Sequence, residues 1–131
     1  MDAYDEVNAW TLGPAGLPFH QFVVDAHAAQ VADDGTKPIT LAFALAGLYL
    51  HLERGYDGDA VRRAHQRMAA GRHAWPVLAR PEGRGEVGAA DVLATPEPER
   101  GAAIEEWCAS VWGAYVGTQH AVRALVDSCA V

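Results

Sequence analysis

The chain is short of basic residues, long apolar runs, cysteine and strand-like alternation, and each shortage narrows its function. Ten Lys and Arg face 17 Asp and Glu, for a net charge of −7. Nucleic-acid binding is therefore not expected, because it needs clustered basic side chains to displace counterions. Attraction to an anionic membrane surface is disfavoured for the same reason. The longest apolar run, "ITLAFALAGLYL" from Ile39 to Leu50, has twelve residues, against the roughly 20 that a membrane span requires. It reads as a buried core helix, with no membrane role. The two cysteines, Cys108 and Cys129, form no C-x-x-C pair and have no zinc-finger spacing. The opening "MDAYDEVNAW" has neither the basic nor the apolar part of a secretory signal. The expectation is a cytoplasmic protein with reduced thiols. Strand alternation is nearly absent, with "GEVG" the one weak candidate, and there are no internal repeats.

What is present is helix punctuation. Half of the 131 residues are apolar and 21% are charged, which suits a single globular domain over 1–131. A first helix over 3–11 ends at Gly13-Pro14. A second opens at Pro18 and runs to about Ala32. Thr36 is the candidate N-cap of a third, with Pro38 in its first turn and Gly55 as its stop. Asp57 or Asp59 caps a fourth, to about Ala70. Thr95-Pro96 opens a fifth, to about Val116, and a sixth follows to about Ser128. The fold class is all-α, a compact bundle of about five or six helices around the third. One long loop over 71–94, in which "AADVLA" has room for a turn or two of helix, is long enough to be a cover for a site. Trp75-Pro76 is its expected anchor, and the histidine end of the bundle is what it would cover as a lid.

The second helix carries polar side chains where a core helix should have none. "FHQFVVDAHAAQ" sets His20, Asp25 and His27 among Phe, Val and Ala. At about 100° per residue, both broad faces are apolar, and His20 and His27 share one stripe. A core histidine satisfied by one hydrogen bond is an ordinary occurrence. A buried aspartate requires a cation, a histidine, a cap or a metal. The third helix bears a stripe of small residues, Thr40, Ala44 and Gly47, ending at His51. Glycine in mid-helix has a conformational cost, so it indicates close packing of another helix.

Folding the hairpin of helices two and three about residues 35 to 36 brings His20 level with His51, and Val24 level with Gly47. Folding helices three and four about residue 57 brings His65 level with Tyr49. His20, His51 and His65 then lie near one end of the bundle. Three imidazoles with an open position are a candidate site for a divalent metal such as zinc, with Glu53 and Glu105 as candidate carboxylates. Without a metal, Asp25 orients His20 or His51 as a general acid or base. Arg62, Arg63 and Arg67 around His65 read either as a solvated face or as an anion pocket. Cys108, on the stripe of Ile104, Trp107, Val111 and Tyr115, is expected to be an inert core thiol. There is no G-x-S-x-G, no phosphate-binding glycine loop and no dinucleotide fingerprint.

"HQFVVDAHAAQ", "TKPITLAFALAGLYLHLERG", "HAWP" and "EEWCASVW" together resemble a family of small bacterial proteins classed as a domain of unknown function. The resemblance covers most of the chain. It sets His20, Asp25, Gln30, Lys37, Pro38 and His51 on the family's motif positions, and it implies Tyr or Phe at position 27, against a ligand role for His27. It implies no activity. Two functions stand on the residues: a small enzyme or metal-binding protein acting on a small molecule through His20, Asp25 and His51, or a non-catalytic partner-binding or homo-oligomeric helical protein.

Overall fold

A computed structural model describes residues 1–71 and 74–131; Arg72 and His73, within the predicted loop, lie outside the described residues. Seven α-helices appear among the described residues, and no strand. They are α1 (Ala3–Thr11), α2 (His20–Val31), α3 (Pro38–Arg54), α4 (Gly58–Gly71), α5 (Ala89–Leu93), α6 (Arg100–Ala114) and α7 (Gln119–Cys129). Single 3₁₀ turns at Leu17–Phe19 and Glu97–Glu99 lead into α2 and α6. The count exceeds the expected six by the short α5, which is the "AADVL" turn.

Local chemistry explains the boundaries. Asp2 and Asp5 form a reciprocal capping box at the start of α1. Asp57, rather than Asp59, caps α4 by accepting from the Ala60 amide at 2.8 Å. Thr36 is not the N-cap of α3: that position is Lys37, and the Thr36 hydroxyl closes the preceding turn with Asp33. Pro96, not Thr95, precedes the turn that opens α6. Thr95 instead closes α5 by donating to the Asp91 carbonyl. Gly55 ends α3 with φ +72°, a conformation that suits glycine. Its amide donates to His51 O and that of Tyr56 to Leu50 O.

The centre is α3, in contact with α2, α4, α6 and α7. Every residue from Leu41 to Leu50 is buried except the half-buried Phe43. Helices α2 and α3 pack where Gly47 leaves room. A Cβ built there would stand 1.9 Å from Asp25 Oδ2 and 3.2 Å from Val61 Cγ1. The small-residue stripe thus admits a side chain of α2 together with one of α4.

The segment after α4 was expected to lie over the histidine end, but it is tied to the opposite end. The Arg84 guanidinium donates to the carbonyls of Gln30 and Ala32, at the end of α2. Gln30 Nε2 donates to Val87 O at 2.8 Å, and its Oε1 accepts from Trp107 Nε1 at 2.9 Å. The amides of Glu86 and Val87 donate to Ser110 Oγ, and Thr118 Oγ1 donates to Ala79 O. Trp75 packs edge-on against Phe43, as the predicted anchor. The segment is a strap across α2 and α6, and it leaves His20 and His51 uncovered.

Gly47→Ala is expected to lower the unfolding free energy by about 2 kcal/mol, because the added carbon meets the Asp25 carboxyl and the Val61 side chain, which must shift. Chemical denaturation measures this. A loss below about 0.5 kcal/mol would mean that the helices separate freely. Ser110→Ala should accelerate amide exchange at Glu86 and Val87 while leaving α3 protected; unchanged exchange would show that the strap is held by other contacts.

Candidate functional site

The four polar residues singled out on α2, α3 and α4 occupy three separate settings. Asp25 is 3% exposed. Its Oδ1 accepts from Gln21 Nε2 at 3.1 Å, one helical turn back, and its Oδ2 is buried with no partner. The expected partner of the aspartate, a cation or a histidine, is not there: neither His20 nor His51 bonds to it. With no opposite charge beside it, burial pushes the Asp25 carboxyl well above the usual carboxylate range, and the Gln21 hydrogen bond opposes this only in part. Burial thus favours the neutral acid for Asp25, which is seated where Gly47 lacks a side chain.

His51 is held on both ring nitrogens. Nδ1 faces the Tyr56 carbonyl at 2.7 Å, and Nε2 faces both oxygens of Glu105 at 2.7 and 2.8 Å. The ring lies on Phe22, with centroids 3.7 Å apart. The chain reversal at Gly55 supplies the Tyr56 carbonyl, and the first half of α6 supplies the carboxylate. Both ring nitrogens are engaged, so neither is left over for a ligand. His51 clamps α3 to α6, with Glu105 rather than Asp25 orienting it. Glu53, the other candidate carboxylate, instead takes Arg123 in a two-pronged pair and Trp112 Nε1.

His65 donates Nε2–H to the Phe43 carbonyl at 2.8 Å and stacks on the Phe43 ring. Burial depresses its basicity, partly offset by that carbonyl. It lines a shallow groove of about 310 Å³ with Asp25, Gln21, Thr40 and Phe43. Arg62, Arg63 and Arg67, read either as a solvated face or as an anion pocket, sit on the exposed face of α4. His27 stacks flat on Tyr4, with centroids 3.6 Å apart. The Cys108 thiol is buried and pushed far up by desolvation, as expected of an inert core cysteine.

His20 is half-buried and borders a cleft. Its Nδ1 lies 3.0 Å from Thr11 Oγ1, and that hydroxyl donates to the Asn8 carbonyl at 2.7 Å. Asn8 is in the last turn of α1, where helix carbonyls run out of amide donors. With the hydroxyl proton placed on the Asn8 carbonyl, which can only accept, Thr11 accepts from His20; in that arrangement the neutral ring carries its proton on Nδ1 and presents a lone pair at Nε2. Nε2 has no partner among the described residues. His20 lines a cleft of about 470 Å³ between the turn before α2 and the start of α4. Pro14, Leu17 and Pro18 form its apolar wall, and Gln21, Asp57, Asp59 and Arg62 its polar side. Gln21 borders both the cleft and the groove beside Asp25.

The structure does not gather the three predicted metal ligands. His20 bonds to Thr11, His51 to Tyr56 and Glu105, and His65 to Phe43. Among the described residues no group of three or more His, Cys, Asp or Glu is arranged to hold a metal ion. Sequence reasoning missed Thr11 and Gln21. The spacing of Gln21 and Asp25, one helical turn, was a readable signal for their contact. Thr11 lies across a chain reversal from His20 and gave none.

The raised Asp25 pKa has a consequence with a definite sign. Between the unfolded and folded pKa values the native state holds a proton that the unfolded chain has released, so stability falls as pH rises through that window. The contribution is fully present below an ordinary aspartate pKa and is lost towards the raised folded value. Asp25→Asn removes this penalty and preserves the acceptor for Gln21. Its unfolding free energy relative to wild type should therefore grow from about pH 4 upwards. A difference that stays flat with pH would mean that Asp25 is ionised in the fold.

No curated protein and no solved structure matches the chain. A family model matches residues 1–116, most of its length. The chain belongs to a family of unknown function (DUF5946).

Proposed function

We propose that this protein binds a small organic molecule in the cleft between the α1–α2 connection and the start of α4, with His20 as the acceptor or general base that meets it. The observation that carries this reading is the anchoring of His20 at Nδ1 by Thr11, with no partner at Nε2 among the described residues. Thr11 holds Nδ1–H, and Thr11 is itself committed to Asn8. An imidazole held in this way has a defined orientation and a free Nε2. The cleft beside it is of a size that small-molecule sites commonly have, about 300–1,000 Å³. In this reading Asp25 is a positioning residue, which acts through Gln21. His51 belongs to the scaffold, and His65 to the wall of the neighbouring groove.

The test uses isotope-labelled protein and a fragment collection, read by NMR. Long-range proton–nitrogen spectra should show the neutral His20 ring protonated at Nδ1. Fragments that bind should shift His20, Gln21 and Gly58 together, and His20→Asn should abolish those shifts. Binding confined to other surfaces, or a ring protonated at Nε2, would overturn the proposal.

A further inference from the structure

Resting on the reading of the cleft as a small-molecule site, we infer that its ligand is an amine with an apolar body, bound as its ammonium. The polar lining of the cleft is richer in acceptors than in donors. His20 presents Nε2 as an acceptor, because Thr11 holds the proton on the other nitrogen. Gln21 spends one amide hydrogen on Asp25 Oδ1, which leaves its carbonyl oxygen and one N–H for the cleft. Asp57 gives one oxygen to the cap of α4 and keeps the other. That cap also occupies the helix N-terminus, where an anion would otherwise bind. Asp59 is an exposed carboxylate on the same rim.

Against these acceptors stands one cationic donor, Arg62. It faces Asp59 one turn back at 3.8 Å, with both side chains more than half exposed. An anionic ligand would meet two carboxylates and two further acceptors, with one partly neutralised guanidinium in its favour. A neutral ketone or ester would find Arg62 and a single Gln21 N–H. An ammonium brings three donors to a site short of donors, and its charge complements the rim. Pro14, Leu17 and Pro18 then cover an apolar body.

Three probes of one shape separate these classes: phenethylamine, phenylacetate and phenethyl alcohol, each titrated by NMR. The expected result is that phenethylamine shifts His20 and Gln21, while phenylacetate leaves them unmoved and the alcohol binds more weakly. Arg62 is a surface residue, so Arg62→Gln should fold normally. It should tighten the amine by about fivefold, because a like charge is removed; an anion site would instead lose its ligand. Equal or tighter binding of phenylacetate, a weaker amine in Arg62→Gln, or no response to the amine at millimolar concentration would each overturn the inference. The first result leaves a ligand cleft at His20 with the opposite preference. No response to any of the three, combined with an empty fragment screen, would remove the cleft reading itself.

Discussion

The seating of the Asp25 carboxyl in the space left by Gly47 is the contact on which the arrangement of α2, α3 and α4 depends. It sets the approach of α2 to α3, because the carboxyl fills the volume that a side chain on α3 would take. It brings in Val61 of α4 at the same point. It also fixes the Gln21 amide, whose side chain lies between the open cleft and the groove. A buried charge with one neutral partner would be prohibitive, so the group stays protonated and behaves as a small polar wedge. An apolar wedge would pack as well. It would not orient Gln21.

The histidines show how context divides one residue type among different tasks. His51 has every polar atom satisfied and joins two core helices. His65 spends one nitrogen on the Phe43 carbonyl and is buried against that residue's ring. His27 is a stacking partner for Tyr4. His20 has one nitrogen anchored and the other free, at the mouth of a cleft. Chemistry with a ligand requires an orientation fixed from behind and an open atom in front, and His20 combines the two. The acidic protein and the acceptor-rich cleft agree in sign, so the field of the whole molecule favours a cationic visitor.

Much of the fold was legible in the sequence. The α1 limits follow from the Gly13-Pro14 break, and the end of α3 from Gly55. The α2–α3 register was read to within about two residues: His51 meets Phe22 rather than His20, and Gly47 meets Asp25 rather than Val24. The α3–α4 register was not. The pairs Gly47–Val61 and Phe43–His65 are both centred on residue 54 rather than 57. The connection is the expected short one, 55–57, with Gly55 left-handed, but the helices pair about residue 54. His65 consequently lies deeper along α3 than Tyr49, and the three-histidine cluster does not assemble. The expected charged partner of Asp25 failed for a different reason: a buried acid needs no countercharge when it keeps its proton, and no spacing rule reveals that. The strap over 74–94 went unread because its ties run through single side chains, Gln30, Arg84 and Ser110, far apart in sequence.

The account rests on Asp25 being a neutral acid inside the fold, and the direct measurement is a carbon-13 NMR titration of its side-chain carboxyl in the native protein. The expected result is a protonated-carboxyl signal that persists well above the pH at which exposed aspartates ionise, with Gln21 side-chain shifts changing in step when it finally titrates. An Asp25 signal that moves to the carboxylate position near pH 4, as for a free aspartate, would contradict it.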